Sequence, residues 1–143
     1  MSRRQRDGRD VLEHEYEGVT TTLRAARNDV VAWLAAREFD QDLQDRAQLV
    51  LSELATNAVQ ASPGTPYVVR LSIDETGSVV MAVTSTSNAG TPPPRESWGP
   101  ATTLAARGRG LLIVGRLSAE VDVEQPTQDT VVVTATLRSG ADV

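Results

Sequence analysis

A chain of 143 residues with 40% hydrophobic residues is long enough to bury one real core and too short for two. Its net charge is −5, and it has no cysteine and no apolar run near the ~18 residues a membrane helix needs, which removes disulfides, thiolate nucleophiles, zinc–thiolate sites and a bilayer-spanning helix. No residue is lysine, so the P-loop, the protein-kinase lysine and a Schiff base are all closed, and beyond the tail the arginines are too scattered to track nucleic acid.

The chain opens with "MSRRQRDGRD", basic but followed by no apolar segment, so neither a secretory nor a twin-arginine signal is complete. Residues 1–15 are expected to form a disordered basic tail, and 16–143 a single domain of a cytoplasmic protein. His14, the one histidine, sits in the charged "LEHEYE", where a surface role is expected. "TTLRAARNDVVAWLAARE" carries Leu23, Ala26, Val30 and Leu34 at helical spacing and predicts an amphipathic helix. A second helix is predicted from Asp42 to Ala61, its apolar face made of Leu43, Ala47, Val50, Leu54, Ala58 and Ala61, and "SPGTP" stops it. "YVVRLSID" and "SVVMAVTS", joined by "ETG", predict a hairpin.

The stretch "NAGTPPPRESWG" has no periodicity and reads as a long loop of the kind that serves as a lid, with Trp98 inside it. In "ARGRGLLIVGRLS", Gly108 and Gly110 precede an apolar run expected as a short buried helix. "AEVDVEQ" and "DTVVVTATL" close the chain as a second hairpin over "PTQ". The order predicts an α+β protein, a two-layer sandwich with helices on one face of a mixed, mainly antiparallel sheet.

Chemistry concentrates in "ELATNAVQAS". Glu53 and Asn57 lie four apart on one helix face among small apolar residues, so a carboxylate and an amide oxygen converge where a buried charge needs a partner. Gly-Arg-Gly before a helix offers backbone N–H groups and the positive end of a dipole to an anion. Each feature has a plainer reading. Glu53 could pair with an arginine, Asn57 could bridge backbone groups, and a lone Gly-x-Gly is commonly a turn.

Taken in order, "LVLSELATNAVQAS" resembles the N-box, and "RGRGLLIVGRLS" the later glycine box, of the Bergerat-fold (GHKL) ATP-binding superfamily. That superfamily includes gyrase subunits, histidine-kinase catalytic domains and the anti-sigma-factor serine/threonine kinases of bacteria, to which this N-box is most similar. The resemblance runs from about Val19 to Leu137. It implies ATP and Mg²⁺ as cofactors, with Asn57 holding the metal and Glu53 as general base toward a partner's serine or threonine. Gly108 and Gly110 would let the backbone approach the phosphates, and Arg107 and Arg109 would add charge or remain solvated. It also implies partner switching between a sigma factor and an antagonist protein, with no direct contact to nucleic acid or membrane; homodimerisation is implied by the resemblance alone.

The sequence departs from the pattern at the first glycine box, where the family carries an Asp that accepts a hydrogen bond from the adenine amino group. Here "VTSTSNAGTPP" has no acid. Either Ser85 takes that place, or Asn88 does, with Ala89 and Gly90 completing the box; both offer a neutral oxygen acceptor. Three readings stay open: an ATP-dependent protein kinase of the anti-sigma type, a degenerate module acting by protein contact without phosphotransfer, and an ATPase-like component of a separate sensor.

Overall fold

The computed structural model describes residues 11–86 and 114–138. Both helical periodicities form as expected. Helix α1 (Leu23–Ala36), entered through a 3-10 turn at Thr20–Thr22, buries Ala26, Val30, Trp33 and Leu34. Helix α2 (Gln41–Ala61) starts one residue earlier than predicted, where the Asp40 side chain accepts the backbone N–H of Leu43 at 2.9 Å and satisfies one orphan donor of the first turn. Between the helices Glu38 takes the left-handed conformation (φ 64°), and the N–H groups of Arg37, Glu38 and Phe39 return to carbonyls of the last turn of α1. Helix α2 ends at Ser62, whose N–H bonds the Ala58 carbonyl, and Gly64 at φ +84° turns the chain into the sheet.

Five strands form the sheet: β1 (Leu12–Tyr16), β2 (Tyr67–Ile73), β3 (Val79–Thr86), β4 (Glu120–Thr127) and β5 (Thr130–Leu137). Their spatial order is β1-β2-β3-β5-β4. Every pairing among the described residues is antiparallel, so the parallel share of the expected mixed sheet is not found there. Both predicted hairpins form. In the first, the Asp74 carboxylate accepts from Thr76 N, Thr76 Oγ1 and Ser78 N, which holds it below the usual carboxylate range. In the second the turn is Gln128-Asp129 rather than "PTQ": Pro126 lies inside β4, at a register shift between Glu124 and Thr127. An edge strand tolerates this because proline removes only a donor that no neighbour uses.

Alternation puts Tyr67, Val69, Leu71, Val79, Met81, Val83, Ala135 and Leu137 on one sheet face, where α2 packs on β2, β3 and β5 and α1 packs on α2. The two-layer sandwich expected from the element order is therefore present. The structure corrects the tail boundary. Residues 12–15 belong to β1, paired with β2 from Leu12↔Leu71 to Tyr16↔Tyr67. Residues 1–10 lie outside the described part.

Strand β1 is fastened to the helical layer by one aromatic. Tyr16 is buried, stacks on Tyr67 with centroids 5.6 Å apart, and donates its hydroxyl to Asp29 Oδ2 on α1 at 2.6 Å. Burial first, then the hydrogen bond and negative charge of Asp29, push the Tyr16 hydroxyl far above its ordinary value. Burial also raises Tyr67, against the opposing hydrogen bond from Thr22. His14 is exposed as expected, its ring 4.6 Å from that of Tyr16. Just beyond β1, a Cβ added to Gly18 would lie 2.1 Å from the backbone oxygen of Thr65, whose neighbour Gly64 donates to the Gly18 carbonyl at 2.8 Å.

Gly18→Ala forces the 64–65 backbone away and is expected to cost about 1–3 kcal/mol in denaturant melts, whereas Glu38→Gly relieves a left-handed residue and is expected to stabilise by about 1 kcal/mol. The folded state resists ionising Tyr16, so its contribution is complete below the ordinary tyrosine value near 10 and is lost as pH rises beyond it. Thermal melts of wild type should therefore fall more steeply above about pH 10 than those of Tyr16→Phe. Parallel slopes would show that Tyr16 is not the group responsible.

Candidate functional site

The site is built from α2 upward. Its buried residues are Leu43, Ala47, Val50, Leu51, Leu54, Ala55, Ala58 and Val59, which span one side of the helix. Glu53 and Asn57 are half-buried and lie at the border of that side, each next in sequence to a buried residue, Leu54 and Ala58. Four residues apart on a helix, they follow one another along the same edge. The plain reading of Glu53 as half of an ion pair is not met among the described residues, where Arg46 pairs with Asp42 and Arg70 with Glu13. Among the described residues the buried side-chain atoms without a hydrogen-bond partner are Trp33 Nε1 and Ser118 Oγ, and the oxygens of Glu53 and Asn57 are not among them.

One contact ties the start of α2 to an end of the sheet. Near its start, Arg46 Nη2 donates to the Arg138 carbonyl at 2.7 Å, just after β5 ends at Leu137. Leu137 pairs with Val79, so this is the end of the sheet at which β3 begins. Helix α2 runs on for about 20 Å beyond Arg46 at 1.5 Å per residue, a length close to that of β3. Its C-terminal half, with Glu53 and Asn57, is thereby directed toward the other end of the sheet, where Ser85 pairs with Val131. Ser85 shares the parity of Val79, Met81 and Val83 and so presents its hydroxyl on the helix-covered face. The structure thus settles Ser85 inside β3.

Of the remaining expected site residues, Asn88, Gly90, Arg107, Gly108, Arg109 and Gly110 lie outside the described residues, as does Trp98. The end of the predicted short buried helix is present: residues 114–117 are helical, Val114 is fully buried and Leu117 packs against the core. Ser118, which the sequence analysis does not single out, follows that helix with its hydroxyl buried. A small hydroxyl between apolar neighbours carries no sequence signal that separates it from a turn residue.

The donor set can be weighed for a metal. No cluster of three or more His, Asp or Glu side chains able to hold an ion is found among the described residues, and no residue is cysteine. The described residues therefore build no carboxylate cage of their own for a hard cation. One amide oxygen with a nearby carboxylate suits Mg²⁺, which takes few protein ligands and completes its octahedron with phosphate oxygens and water. Among the described residues no helix is long and apolar enough to cross a membrane.

A family model for the histidine kinase-like ATPase domain matches residues 18–137. Solved structures similar to the chain include the RsbU and RsbW domains of a Mycobacterium tuberculosis protein, at a TM-score of 0.67 and 19% identity over 91% of this chain and 32% of that one. Another is the SiaB–SiaC complex from Pseudomonas aeruginosa, at a TM-score of 0.69 and 14% identity over 94% of both chains. The chain thus spans about a third of the Mycobacterium chain, and at these identities the likeness is one of fold. No curated protein matches at a significant level.

Proposed function

The chain belongs to the histidine kinase-like ATPase family, and on that premise we propose that it is an ATP-dependent protein serine/threonine kinase of the anti-sigma-factor type. The observation that carries this reading is the placement of Glu53 and Asn57 on one edge of α2, Glu53 outside the ion pairs shown among the described residues and both directed toward the end of β3 that holds Ser85. In this reading Asn57 holds Mg²⁺ through its side-chain oxygen, and the ion when bound neutralises phosphate charge. Glu53 accepts the proton of a serine or threonine hydroxyl on an antagonist protein. The hydroxyl oxygen forms a bond to the γ-phosphorus as the bond from that phosphorus to the β,γ-bridging oxygen breaks, and ADP leaves with the electron pair. Such a transfer asks chiefly for positioning and charge neutralisation, which one carboxylate, one amide and an ion can supply.

Arg107, Gly108, Arg109 and Gly110 belong to the same proposal as phosphate-facing groups, and Asn88 with Gly90 as the alternative to Ser85 beside adenine. A phosphate added to the antagonist changes the charge of its interface, so the kinase would exchange antagonist for sigma factor as partner. Likeness of fold to structures containing RsbW and SiaB supports the placement in this branch of the family.

One observation favours a second reading. At the described end of β3 the helix-facing side chain is Ser85 and not an acid. A neutral acceptor holds the adenine amino group less firmly than a carboxylate does. A module that regulates by protein contact without phosphotransfer is therefore the rival.

Calorimetric titration with ATP separates the two. Wild type is expected to bind ATP in a Mg²⁺-dependent manner, Asn57→Ala to lose that dependence, and Glu53→Ala to bind normally while losing transfer by about 100-fold or more, the range of a missing general base. Ser85→Asp is expected to tighten ATP binding by about tenfold, the worth of a charge-assisted hydrogen bond over a neutral one. Absence of binding at millimolar ATP would give the lead to the protein-contact reading.

A further inference from the structure

The sheet has a second face, and its acids lie on the rims. Pairing registers place Val68, Val80, Ala82, Thr84, Val132 and Thr134 on the side away from α1 and α2. No described element covers these partly exposed aliphatics and hydroxyls. Glu13 and Glu15 on β1 flank them on one side, and Glu120, Asp122 and Glu124 on β4 flank them on the other, all exposed and on the same face. Between the two acidic rims stands one cation among the described residues, Arg70 on β2, 3.5 Å from Glu13. One row across the face therefore reads Glu13, Arg70, Ala82, Thr134, Asp122.

Where the chain enters the sheet bears on what covers this face. Leu12, the first residue of β1, pairs with Leu71 and shares a row with Met81, Ala135 and Val121. The chain thus arrives at the end of the sheet where β4 begins, level with Glu120 and Asp122. Ahead of it in sequence stand residues 1–10, "MSRRQRDGRD". Four strand spacings separate β1 from β4, about 19 Å. Ten residues of chain reach about 33 Å, enough to round the edge of β1 and cross to β4. The order of charges matches too. Read back from β1, the segment offers Arg9, then Asp7, then Arg6, Arg4 and Arg3, opposite in sign to Glu13, Arg70 and Asp122 in turn. Arg9 and Arg3 are six residues apart, about 20 Å of extended chain, which equals the distance between the rims.

We propose that the basic segment 1–10 straps across this outward face of its own chain. Arg9 meets Glu13 and Glu15, Asp7 meets Arg70, and Arg6, Arg4 and Arg3 meet Glu120, Asp122 and Glu124, with Asp10 left at the turn over the edge of β1. Each of these exposed ion pairs is weak singly. The covalent tether makes them act together, because every contact after the first forms at a high effective concentration. The strap is thus an electrostatic, autoinhibitory cover for the uncharged centre of the face. Salt at about 0.5 M shortens the screening length to a few ångströms and releases it, opening that centre to other proteins. The proposal stands independently of the phosphotransfer reading.

Disulfide trapping on the full chain tests it, since no residue is cysteine and two introduced thiols form the only possible pair. Gln5→Cys/Thr134→Cys joins the segment to the centre of the face, and Gln5→Cys/Ala32→Cys joins it to an exposed position on α1. With a mild oxidant in about 0.05 M salt, the first pair is expected to close within one chain about tenfold or more faster than the second. That preference should vanish in about 0.5 M salt, and also at low salt when Arg3→Gln/Arg4→Gln/Arg6→Gln is added, with circular dichroism melts confirming that each variant folds. Equal rates for the two pairs at low salt overturn the strap. A preference that survives both salt and neutralisation overturns its electrostatic basis, and Thr134→Cys disulfides that link two chains instead of closing within one overturn the docking in cis.

Discussion

The position of Glu53 and Asn57 at the margin of the buried side of α2 is the constraint on which the rest depends. A carboxylate one residue further into the apolar side would sit against the sheet and lose its charge or its helix, because an isolated buried charge costs several kcal/mol or more. One residue further out it would be a solvated surface acid. The small side chains Ala47, Ala55 and Ala58 let α2 approach the sheet closely, while Leu43, Val50, Leu51 and Leu54 fill the remaining space. The helix is thereby locked in rotation about its own axis, and that rotation is what aims the two polar groups.

Topology does the rest. Because β5 inserts between β3 and β4, strand β3 is central and its two neighbours both run antiparallel to it. The chain leaves β3 at Thr86, at the end that carries Ser85, and re-enters the described structure at Val114 with a side chain wholly inside the core. The 27 residues between, with "NAGTPPPRESWG" and the Gly-Arg-Gly among them, lie outside the described structure.

Both helices, both hairpins and the α+β layering were legible because each rests on a periodicity carried by apolar residues. Strand β1 was not. In "LEHEY" the period of two is intact, with Leu12, His14 and Tyr16 toward the helices and Glu13 and Glu15 away, but charge density outweighs it, and the strand is stabilised by contacts remote in sequence, its pairing with β2, the burial of Tyr16 on Tyr67 and the Tyr16–Asp29 bond. The second turn was misplaced for a related reason: proline was read as a turn signal, whereas on an edge strand it fits a bulge. At the site, the spacing of Glu53 and Asn57 was readable because helix geometry is local. The pairing that sets Ser85 against Val131 and Thr86 against Thr130 was not, since the register of a strand is fixed by its partner strand.

Ser85 then joins the two halves of the physical account. It faces the helix layer beside Val83 and opposite the buried Val131. An aspartate there would have to stay ionised to favour adenine, and with no ligand it would stand as an unpaired charge among aliphatic neighbours. A serine hydroxyl could accept a hydrogen bond from adenine under the proposed reading and costs far less than a carboxylate with no ligand present. In the proposed reading, the neutral residue that would hold adenine less firmly is therefore also the one that leaves the fold without an unpaired charge when no nucleotide is present.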